Sequence, residues 1–422
     1  MIRPSVIPAI LLCGLPGLAL AQEPAAETED NAGEIVVTAQ KIEQRALDVP
    51  ITISATSGER MRQLGVSDLD ELAFYVPGLN IQEQSANNPG IVIRGITSDS
   101  GSAQQAARVT LYYNGVDISR SRGSYQDIFD VERIEVIKGP QATLFGTASA
   151  IGAISIISAR PKPGFSAELT AGIGNFDQRL LSGHINLGSE TLAGRLAFAF
   201  KKRDGYVTNL APNQDDLNGQ DQLGIRASLR YAPADDVTAD LILTYDRQRN
   251  PGTAFVSGSL PTTAGPADPF GVAFLGGSPF SKEVLGKTKL GLDRDVYDAN
   301  LTVNYALSDD WNLTMVNGYR RFDSLETFDA DGSAAFYLEF AELAKGDQFN
   351  HESRFSYSAD RFRGSFGFNF FHENGVQNVP FSSEEGTFLQ CAARLVPNLP
   401  CVNAAGVVTA AGPAIVRVEA RR

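Results

Sequence analysis

The sequence predicts a membrane all-β protein, an antiparallel transmembrane β-barrel that follows a smaller α+β domain. Three observations lead to this fold class: a secretory leader, a long series of segments in which apolar and polar residues alternate, and short links that alternate with long ones. After the leader, no stretch of about 20 consecutive apolar residues is present. Any segment that crosses a membrane is therefore expected to be a β-strand.

Residues 1–21 have the features of a secretory signal peptide. Arg3 supplies the positive charge, an apolar stretch follows, and Ala19-Leu20-Ala21 forms a small-x-small cleavage site before Gln22. Residues 22–33 are rich in Ala, Glu and Asp and show no periodicity, which predicts a disordered linker.

The charge balance excludes one broad class of function. The 422 residues carry a formal net charge of −13, whereas a nucleic-acid-binding protein would show a clustered basic surface. Aromatic residues at 9% and 40 glycines are typical of a β protein with many turns. We therefore expect no nucleic-acid partner.

Residues 42–163 predict a compact α+β domain. Ser57 to Gly65 has the pattern of a capped helix that ends at a glycine, and Asp68 to Tyr75 predicts a second short helix ended by Pro77-Gly78. Short β-branched runs predict the strands, which we place at Ile91–Ile93, Val109–Tyr113, Arg133–Ile137 and Ala153–Ile157.

Residues 164–422 alternate in the way expected of strands with one face in lipid and the other in water. In one run, Leu196, Phe198 and Phe200 share a face, and Arg195 and Lys201 lie on the opposite one. The same alternation recurs at 297–307 and 362–370. A soluble sandwich also alternates, but aromatic residues near the strand ends favour the membrane interpretation: Tyr231, Tyr245, Tyr305, Trp311 and Tyr357.

The links between these strands indicate their orientation. Short links at 189–190, 233–236, 308–310 and 358–360 belong on the periplasmic side, and the long ones at 204–220, 251–293 and 326–346 belong outside. About nine strands are predicted, after which a Gly/Ala/Val-rich segment is expected to be an external loop.

The run from Asp130 to Gly146, which contains VERIEVIKGP and then LFG, is the most specific motif. It resembles the VERIEV-(K/R)-GP-…-L-(F/Y)-G signature in the plug of TonB-dependent outer-membrane receptors of the siderophore-receptor kind. Further motifs follow in the family's order: Val76-Pro77-Gly78-Leu79, Ile93-Arg94-Gly95 and Leu111 to Val116. The resemblance implies a plug domain at 42–163 and the N-terminal part of such a receptor. A barrel that holds a plug has about 22 strands, so we expect a partial one.

Two positions depart from the family pattern. Asn114 stands where the family usually has Asp, and Gly152-Ala153-Ile154-Ser155 replaces a Gly-Gly-x-Ile-Asn pattern. Asn114 still suits a turn before Gly115, so the fold is expected to be retained.

The resemblance also implies where coupling to TonB takes place. A short β-branched run lies between the linker and the plug, where the family carries its TonB box, which we place at 34–41. An extended segment of this kind lends its backbone groups to the sheet edge of another protein. The residues predicted to bind TonB are Glu34, Ile35, Val36, Val37, Thr38 and Ala39.

Ligand-binding residues are predicted from their position in the plug. In the family, apical plug loops touch the ligand, and here Arg120, Arg122 and Tyr125 are the chemically suited members of such a loop. Arginine suits a carboxylate- or catecholate-bearing iron chelate, and tyrosine adds stacking or hydrogen bonds. The alternative is an ordinary solvated polar loop.

Arg94 and Lys138 occupy positions where the family carries basic residues that lock the plug to the barrel wall. A cation in a water-poor interface requires an acidic partner, which favours that role. An ordinary surface charge is the alternative.

Cys391 and Cys401 are the two cysteines outside the leader. In an exported protein, a close pair of this kind predicts a loop disulfide, and two unpaired thiols are the alternative. Non-reducing mass spectrometry of the exported protein should find the two peptides linked, whereas two alkylated thiols would contradict the prediction.

No catalytic or metal-binding pattern emerges. His184, His351 and His372 lie in predicted strands, and none has the His-x-x-x-His or Glu-x-x-His spacing that a metal site favours. Solvated strand residues are the simpler interpretation. We expect neither enzyme activity nor a metal or cofactor.

The function that the resemblance implies is TonB-dependent import of a scarce nutrient, first of all a ferric siderophore, across the outer membrane of a Gram-negative bacterium. The implied partners are TonB with its inner-membrane energising complex, an iron-chelate ligand and outer-membrane lipid. Two alternatives remain open at this point, a passive porin-like channel and a truncated fragment that does not transport.

Overall fold

A computed structural model describes residues 36–38, 41–42, 44–82, 89–97, 108–118, 122–141, 149–209, 214–255, 289–330, 339–359, 361–383 and 414–421. Among these residues, no helix has the length and apolar character needed to cross a membrane. The described chain forms a small α+β domain and one long antiparallel sheet.

The described α+β domain contains ten short strands, two short helices and one 3-10 turn. The strands are β1 (Val36–Val37), β2 (Gln44–Arg45), β3 (Thr52–Ser57), β4 (Leu79–Gln82), β5 (Gly90–Ile93), β6 (Ile96–Thr97), β7 (Val109–Tyr113), β8 (Val116–Asp117), β9 (Val131–Lys138) and β10 (Gly152–Ser158). The helices are α1 (Gly58–Leu64) and α2 (Leu69–Ala73), and a 3-10 turn spans Ala46–Asp48. The sheets have the orders β1-β2, β4-β5-β6 and β3-β9-β10-β7-β8, with β10 and β7 parallel.

Both predicted helices are present, and their caps explain where they begin and end. At α1, the Ser57 hydroxyl accepts a hydrogen bond from the Arg60 backbone N–H at 3.1 Å, and Gly65 ends the helix at a φ of 71°. At α2, Asp68 and Glu71 form a capping box.

The core of the domain lies between the helices and the five-stranded sheet. Met61, Leu69 and Leu72 from the helices pack in one buried cluster with Ile134 and Ile154 from the central strands. Since β10 is buried along its whole length, its sequence is a nearly continuous apolar run and not an alternating one.

Gly152 is expected to be intolerant of a side chain. A Cβ there would meet the Ile137 carbonyl oxygen and would lie 2.9 Å from Ile93 Cδ1. Gly152→Ala should therefore lower the free energy of unfolding by about 1–3 kcal/mol, measured by denaturant unfolding. Gly194→Ala is the matched control, because its Cβ would meet no atom closer than 3.9 Å. Equal stability of the two variants would contradict this prediction.

The long sheet contains ten strands in the described chain, each paired with the next in sequence order. Their bounds are β11 (Gly164–Gly174), β12 (Gln178–Gly188), β13 (Leu192–Arg203), β14 (Gln220–Ala234), β15 (Val237–Pro251), β16 (Gly291–Ala306), β17 (Trp311–Asp329), β18 (Glu339–Ala359), β19 (Phe362–Ser383) and β20 (Ala414–Arg421). This sheet packs against the α+β domain, since Leu292 and Val316 belong to the core cluster of that domain.

The alternation predicted from sequence is confirmed on both faces of this sheet. Leu196 is 48% exposed and Phe368 is 63% exposed on the outer face, while Ala197 and Lys201 are buried on the inner one. The inner face therefore carries the polar and small residues that meet the α+β domain.

The predicted number of strands and the end of the sheet require a correction. The segment expected to be an external loop contains β20, which pairs antiparallel with β19, so the described part of the sheet has ten strands and not nine. The β-branched residues Ile415, Val416 and Val418 explain the strand. The long link predicted at 326–346 is also shorter, because β17 ends at Asp329 and β18 begins at Glu339.

The four short links predicted from sequence lie at one end of the sheet, where aromatic side chains gather, and the short link between β11 and β12 lies at the other end. Trp311 follows the link between β16 and β17, and its ring centroid lies 5.0 Å from that of Tyr357 and 6.2 Å from that of Phe366. We call this the short-turn end. The orientation predicted from sequence makes it the periplasmic end.

Candidate functional site: the interface between the α+β domain and the long sheet

The predicted TonB-binding segment is held against its own domain. Val36 and Val37 pair with Arg45 and Gln44, and the Thr38 backbone N–H donates to the Glu135 carboxylate at 2.9 Å. The side chain of Val37 is fully buried, in a cluster with Val49, Tyr112, Ile137 and Ala153. Glu34, Ile35 and Ala39 lie outside the described residues.

A second contact joins this segment to the wall of the sheet. Lys41 Nζ lies 2.6 Å from the carboxylate of Glu352 on β18, and Arg354 donates to the same carboxylate at 2.6 Å. Both partners are less than a quarter exposed, so water weakens the pair less than it would on an open surface.

The two described residues of the predicted ligand loop have protein partners. Arg122 is buried and forms a 2.9 Å ion pair with Glu342 on β18. The Tyr125 hydroxyl donates to the Asp70 carboxylate at 2.6 Å. Arg120 lies outside the described residues. The ligand role of these residues stays a prediction, and it would require Arg122 to exchange its present partner.

Among the described residues, the contacts of the two predicted locking residues lie within the α+β domain. Lys138 Nζ donates to Ser54 Oγ at 2.9 Å and to the Pro77 carbonyl at 2.7 Å. Burial and then the neighbouring Arg94 lower the pKa of the Lys138 ammonium. Arg94 is exposed, at a φ of 52° in the turn between β5 and β6. Their role as locks to the barrel wall stays a prediction.

Three arginines of the long sheet, which the sequence reasoning did not single out, also hold the α+β domain. Arg226, Arg294 and Arg320 are at most 1% exposed. Arg226 donates to the carbonyls of Phe129 at 2.8 Å and Asp130 at 3.0 Å. Arg294 and Arg320 donate to the carbonyls of Tyr125 and Gly123.

Two further cations of the sheet complete this set. Lys201 Nζ lies 2.5 Å from Asp127 and 3.2 Å from Asp68, and Arg195 Nε donates to Asp130 at 2.8 Å. Burial raises the pKa of the Asp127 carboxyl to about 7, although Lys201 opposes that rise. In the described part of the chain, residues 122–130, which we call the anchored segment, are thus held by five cations from four strands. The sequence feature that could have identified these cations is their position on the polar face of the alternating strands.

At the opposite end from the short turns, a pocket of about 190 Å³ opens on the inner wall of the sheet. Arg203, Tyr206, Asn250 and Glu326 are among its lining residues, and the Arg203 guanidinium lies 5.1 Å from the Tyr206 ring centroid. The sequence reasoning missed this pocket, because its residues come from five separate strands and two links.

The histidines take part in ordinary strand contacts. His351 is hydrogen-bonded to Asn317 Oδ1 at 2.7 Å and to Ser353 Oγ at 2.9 Å. Within the described ranges, no group of three or more His, Cys, Asp or Glu side chains is arranged to hold a metal ion. Cys391 and Cys401 lie outside those ranges.

A family model decides the identity of the α+β domain. Residues 45–153 match the model of the TonB-dependent receptor plug domain. The chain contains the plug domain of a TonB-dependent receptor. The resemblance predicted from the VERIEVIKGP motif is thereby confirmed, and we call residues 42–163 the plug and the long sheet the barrel wall.

Known proteins of this family resemble the chain over the plug and the strands that follow. It is 32% identical to the pesticin receptor of Yersinia pestis over 228 residues, which cover 52% of this chain and 32% of the relative. It is 25% identical to the ferric aerobactin receptor of Klebsiella pneumoniae, over 73% of this chain and 49% of the relative. The chain thus spans between about a third and a half of the length of these relatives.

Solved structures support the fold. The ferric yersiniabactin uptake receptor of Yersinia pestis superposes with a TM-score of 0.63 at 20% identity, over 79% of this chain and 50% of that one. A pyoverdine outer-membrane receptor of Pseudomonas aeruginosa superposes with a TM-score of 0.61 at 12% identity, over 92% of this chain and 55% of that one. The family consists of receptors and transporters of the Gram-negative outer membrane, and the chain is an outer-membrane protein.

Proposed function

We propose that this receptor imports a ferric siderophore or a related iron chelate across the outer membrane, with energy delivered through TonB. The observation that carries the proposal is the contact of Val36, Val37 and Thr38 with the edge of the plug. A pull on this segment acts directly on the domain that fills the barrel. A force that TonB applies to this segment is therefore transmitted to the plug through these contacts.

The substrate class rests on the relatives and on the pocket at the long-link end. Relatives include a ferric aerobactin receptor, a ferric yersiniabactin uptake receptor and a vitamin B12 transporter. Arg203 and Tyr206 offer a guanidinium and an aromatic ring in the pocket, groups that suit the carboxylates or catecholates of an iron chelate. We propose an iron chelate before a cobalamin on these grounds.

The proposal is tested by uptake of a panel of labelled ferric chelates, with labelled vitamin B12 included. The protein is produced from its own gene, read to its natural stop codon, in cells with and without TonB. Uptake of an iron chelate in the first cells and not in the second is expected. Equal uptake in both would instead indicate a passive porin-like channel, and the five cations that hold the anchored segment argue against that alternative.

Arg203→Ala is expected to weaken binding of the imported chelate at the cell surface. Loss of one charged hydrogen bond of this kind costs about 1.5–3 kcal/mol, or roughly tenfold or more in affinity. The measurement is a surface binding isotherm in cells that lack TonB. Arg179→Ala is the matched control, since Arg179 is exposed at the same end of the wall and pairs with Asp177 at 2.7 Å. Equal affinities of the two variants would exclude Arg203 from the site.

A further inference from the structure

Two layers of exposed aromatic rings mark the depth of the lipid on the outer face of the barrel wall. Tyr305 of β16 and Trp311 of β17 form the layer at the short-turn end. Tyr297 and Tyr319 form the second layer, on the same face and eight residues away along the same two strands. Eight residues of a strand span about 27 Å, close to the apolar band of about 25 Å that such barrels present to lipid. The second layer therefore marks where the lipid tails end at the long-link side.

Charged side chains face outward just beyond this second layer, on the neighbouring strands from β13 to β18. They continue the face that carries the exposed side chains of Ile225, Leu243 and Phe349 nearer the middle of the wall. Their basic members are Lys202, Arg247, Arg249, Arg321 and Lys345. Their acidic members are Asp221, Asp293, Asp295, Asp323 and Asp347. We call these residues the charged band.

Acidic members of the charged band hold basic members of the neighbouring strand in place. Arg249 lies 2.5 Å from the carboxylate of Asp295, which also accepts a hydrogen bond from the Tyr245 hydroxyl at 2.7 Å. Lys345 lies 2.7 Å from Asp323, and both of these side chains are about half exposed. An exposed pair of this kind contributes little to stability. Its main effect is to fix the direction of the cation at this depth.

Arg321 is exposed and forms no ion pair with any described residue. It lies directly opposite Asp347 in the register, and Lys345 is its diagonal neighbour on β18. Diagonal neighbours have Cβ atoms about 7–8 Å apart, so these two long side chains can reach one anion between them. A guanidinium binds two oxygens of a phosphate at once, and an ammonium adds a point charge. Arg321 and Lys345 therefore form a site that is suited to a phosphate group.

The two ends of the wall differ in the charge that they present to the membrane. Arg361 is the basic residue described in the short links, whose acidic residues are Glu190, Asp235, Asp236, Asp309 and Asp310. The charged band at the other end contains both signs of charge in equal number. The external leaflet of the Gram-negative outer membrane consists of glycolipids whose phosphates are bridged by divalent cations, and carboxylates and phosphates are the usual ligands of such cations. A surface with both signs of charge is complementary to that layer.

We propose that the charged band binds the phosphate groups of the glycolipids in the external leaflet of the outer membrane, with Arg321 and Lys345 as direct phosphate ligands. The partner is thus a layer of lipid head groups, continuous with the apolar face that already lies in lipid. Contacts of this kind hold the receptor at a fixed height in the membrane. This inference rests on the orientation that places the long links outside, and it is independent of what the receptor imports.

Binding of lipopolysaccharide to the purified protein tests this site. The protein is produced from its own gene, read to its natural stop codon, and is kept in a non-ionic detergent. The probes are lipopolysaccharide and the same material after enzymatic removal of its phosphates. Arg321→Gln with Lys345→Gln should weaken binding of the intact probe by roughly tenfold or more, and should leave the weaker binding of the dephosphorylated probe unchanged. A higher salt concentration should weaken binding of the intact probe by the unsubstituted protein.

Two matched variants separate the loss of charge from a loss of folding. Arg321→Lys with Lys345→Arg retains both charges and should bind intact lipopolysaccharide as the unsubstituted protein does. Arg361→Gln removes an exposed cation at the short-turn end and should also leave binding unchanged. Equal affinities of the double glutamine variant and the unsubstituted protein would overturn the proposal. An equal loss for both probes would overturn it as well, and so would full displacement of lipopolysaccharide by inorganic phosphate, which would indicate a site for the free ion.

Discussion

Val36→Pro is expected to abolish TonB-dependent uptake while ligand binding at the cell surface stays normal. Strand addition depends on backbone N–H groups, and proline removes one and also restricts the residue before it. Val36 lies at the edge of the plug and not in the pocket at the long-link end. Uptake and surface binding of the same labelled chelate, measured side by side, separate coupling from recognition.

The matched control for this variant is Val36→Thr. The side chain of Val36 is 43% exposed, so an isosteric polar replacement retains the backbone donor and disturbs little packing. From the sequence alone, Val37→Thr would have served equally well, but Val37 is fully buried in the cluster with Tyr112 and Ile137. A hydroxyl there would be buried as well, at a cost of its own. Uptake by Val36→Pro at the unsubstituted rate would show that this segment is not the coupling strand.

The features that the sequence predicted well are those determined by residues close together in the chain. The cap at Ser57, the left-handed glycine at Gly65 and the Asn114-Gly115 turn depend on a few neighbouring residues. The alternation of the wall depends on a period of two, which lipid on one side and the plug on the other impose along each strand. Such features are readable before any partner is known.

The features that were missed or remain unsettled depend on contacts between distant residues. Arg226 meets Phe129 across 97 residues, and Lys41 meets Glu352 across 311. The sequence shows that Arg226 lies on a polar face, but nothing local shows which carbonyl it reaches. Lys138 was expected to reach the wall, and its described partners are Ser54 and Pro77 of the plug. Charge and position along a strand therefore predict a buried cation better than they predict its partner.

Arg226→Ala is expected to loosen the plug in the barrel more than loss of any exposed ion pair. The side chain donates to the carbonyls of Phe129 and Asp130 and to the Tyr113 hydroxyl, and its guanidinium lies 4.4 Å from the Phe129 ring centroid. Removal leaves two buried carbonyls without this donor and a cavity between plug and wall. A loss of about 3–5 kcal/mol in the stability of the docked plug is expected from the unsatisfied acceptors and the cavity together.

The measurement is the rate at which a protease cuts the plug in intact outer membranes, together with the leak of a small hydrophilic antibiotic into the cells. Both should rise in Arg226→Ala. Arg226→Lys should give an intermediate effect, since an ammonium retains the charge and loses the planar fork that reaches several acceptors at once. Arg179→Ala, which removes an exposed pair, should change neither readout. If Arg226→Ala and Arg179→Ala behaved alike, the anchored segment would not be what keeps the plug in place.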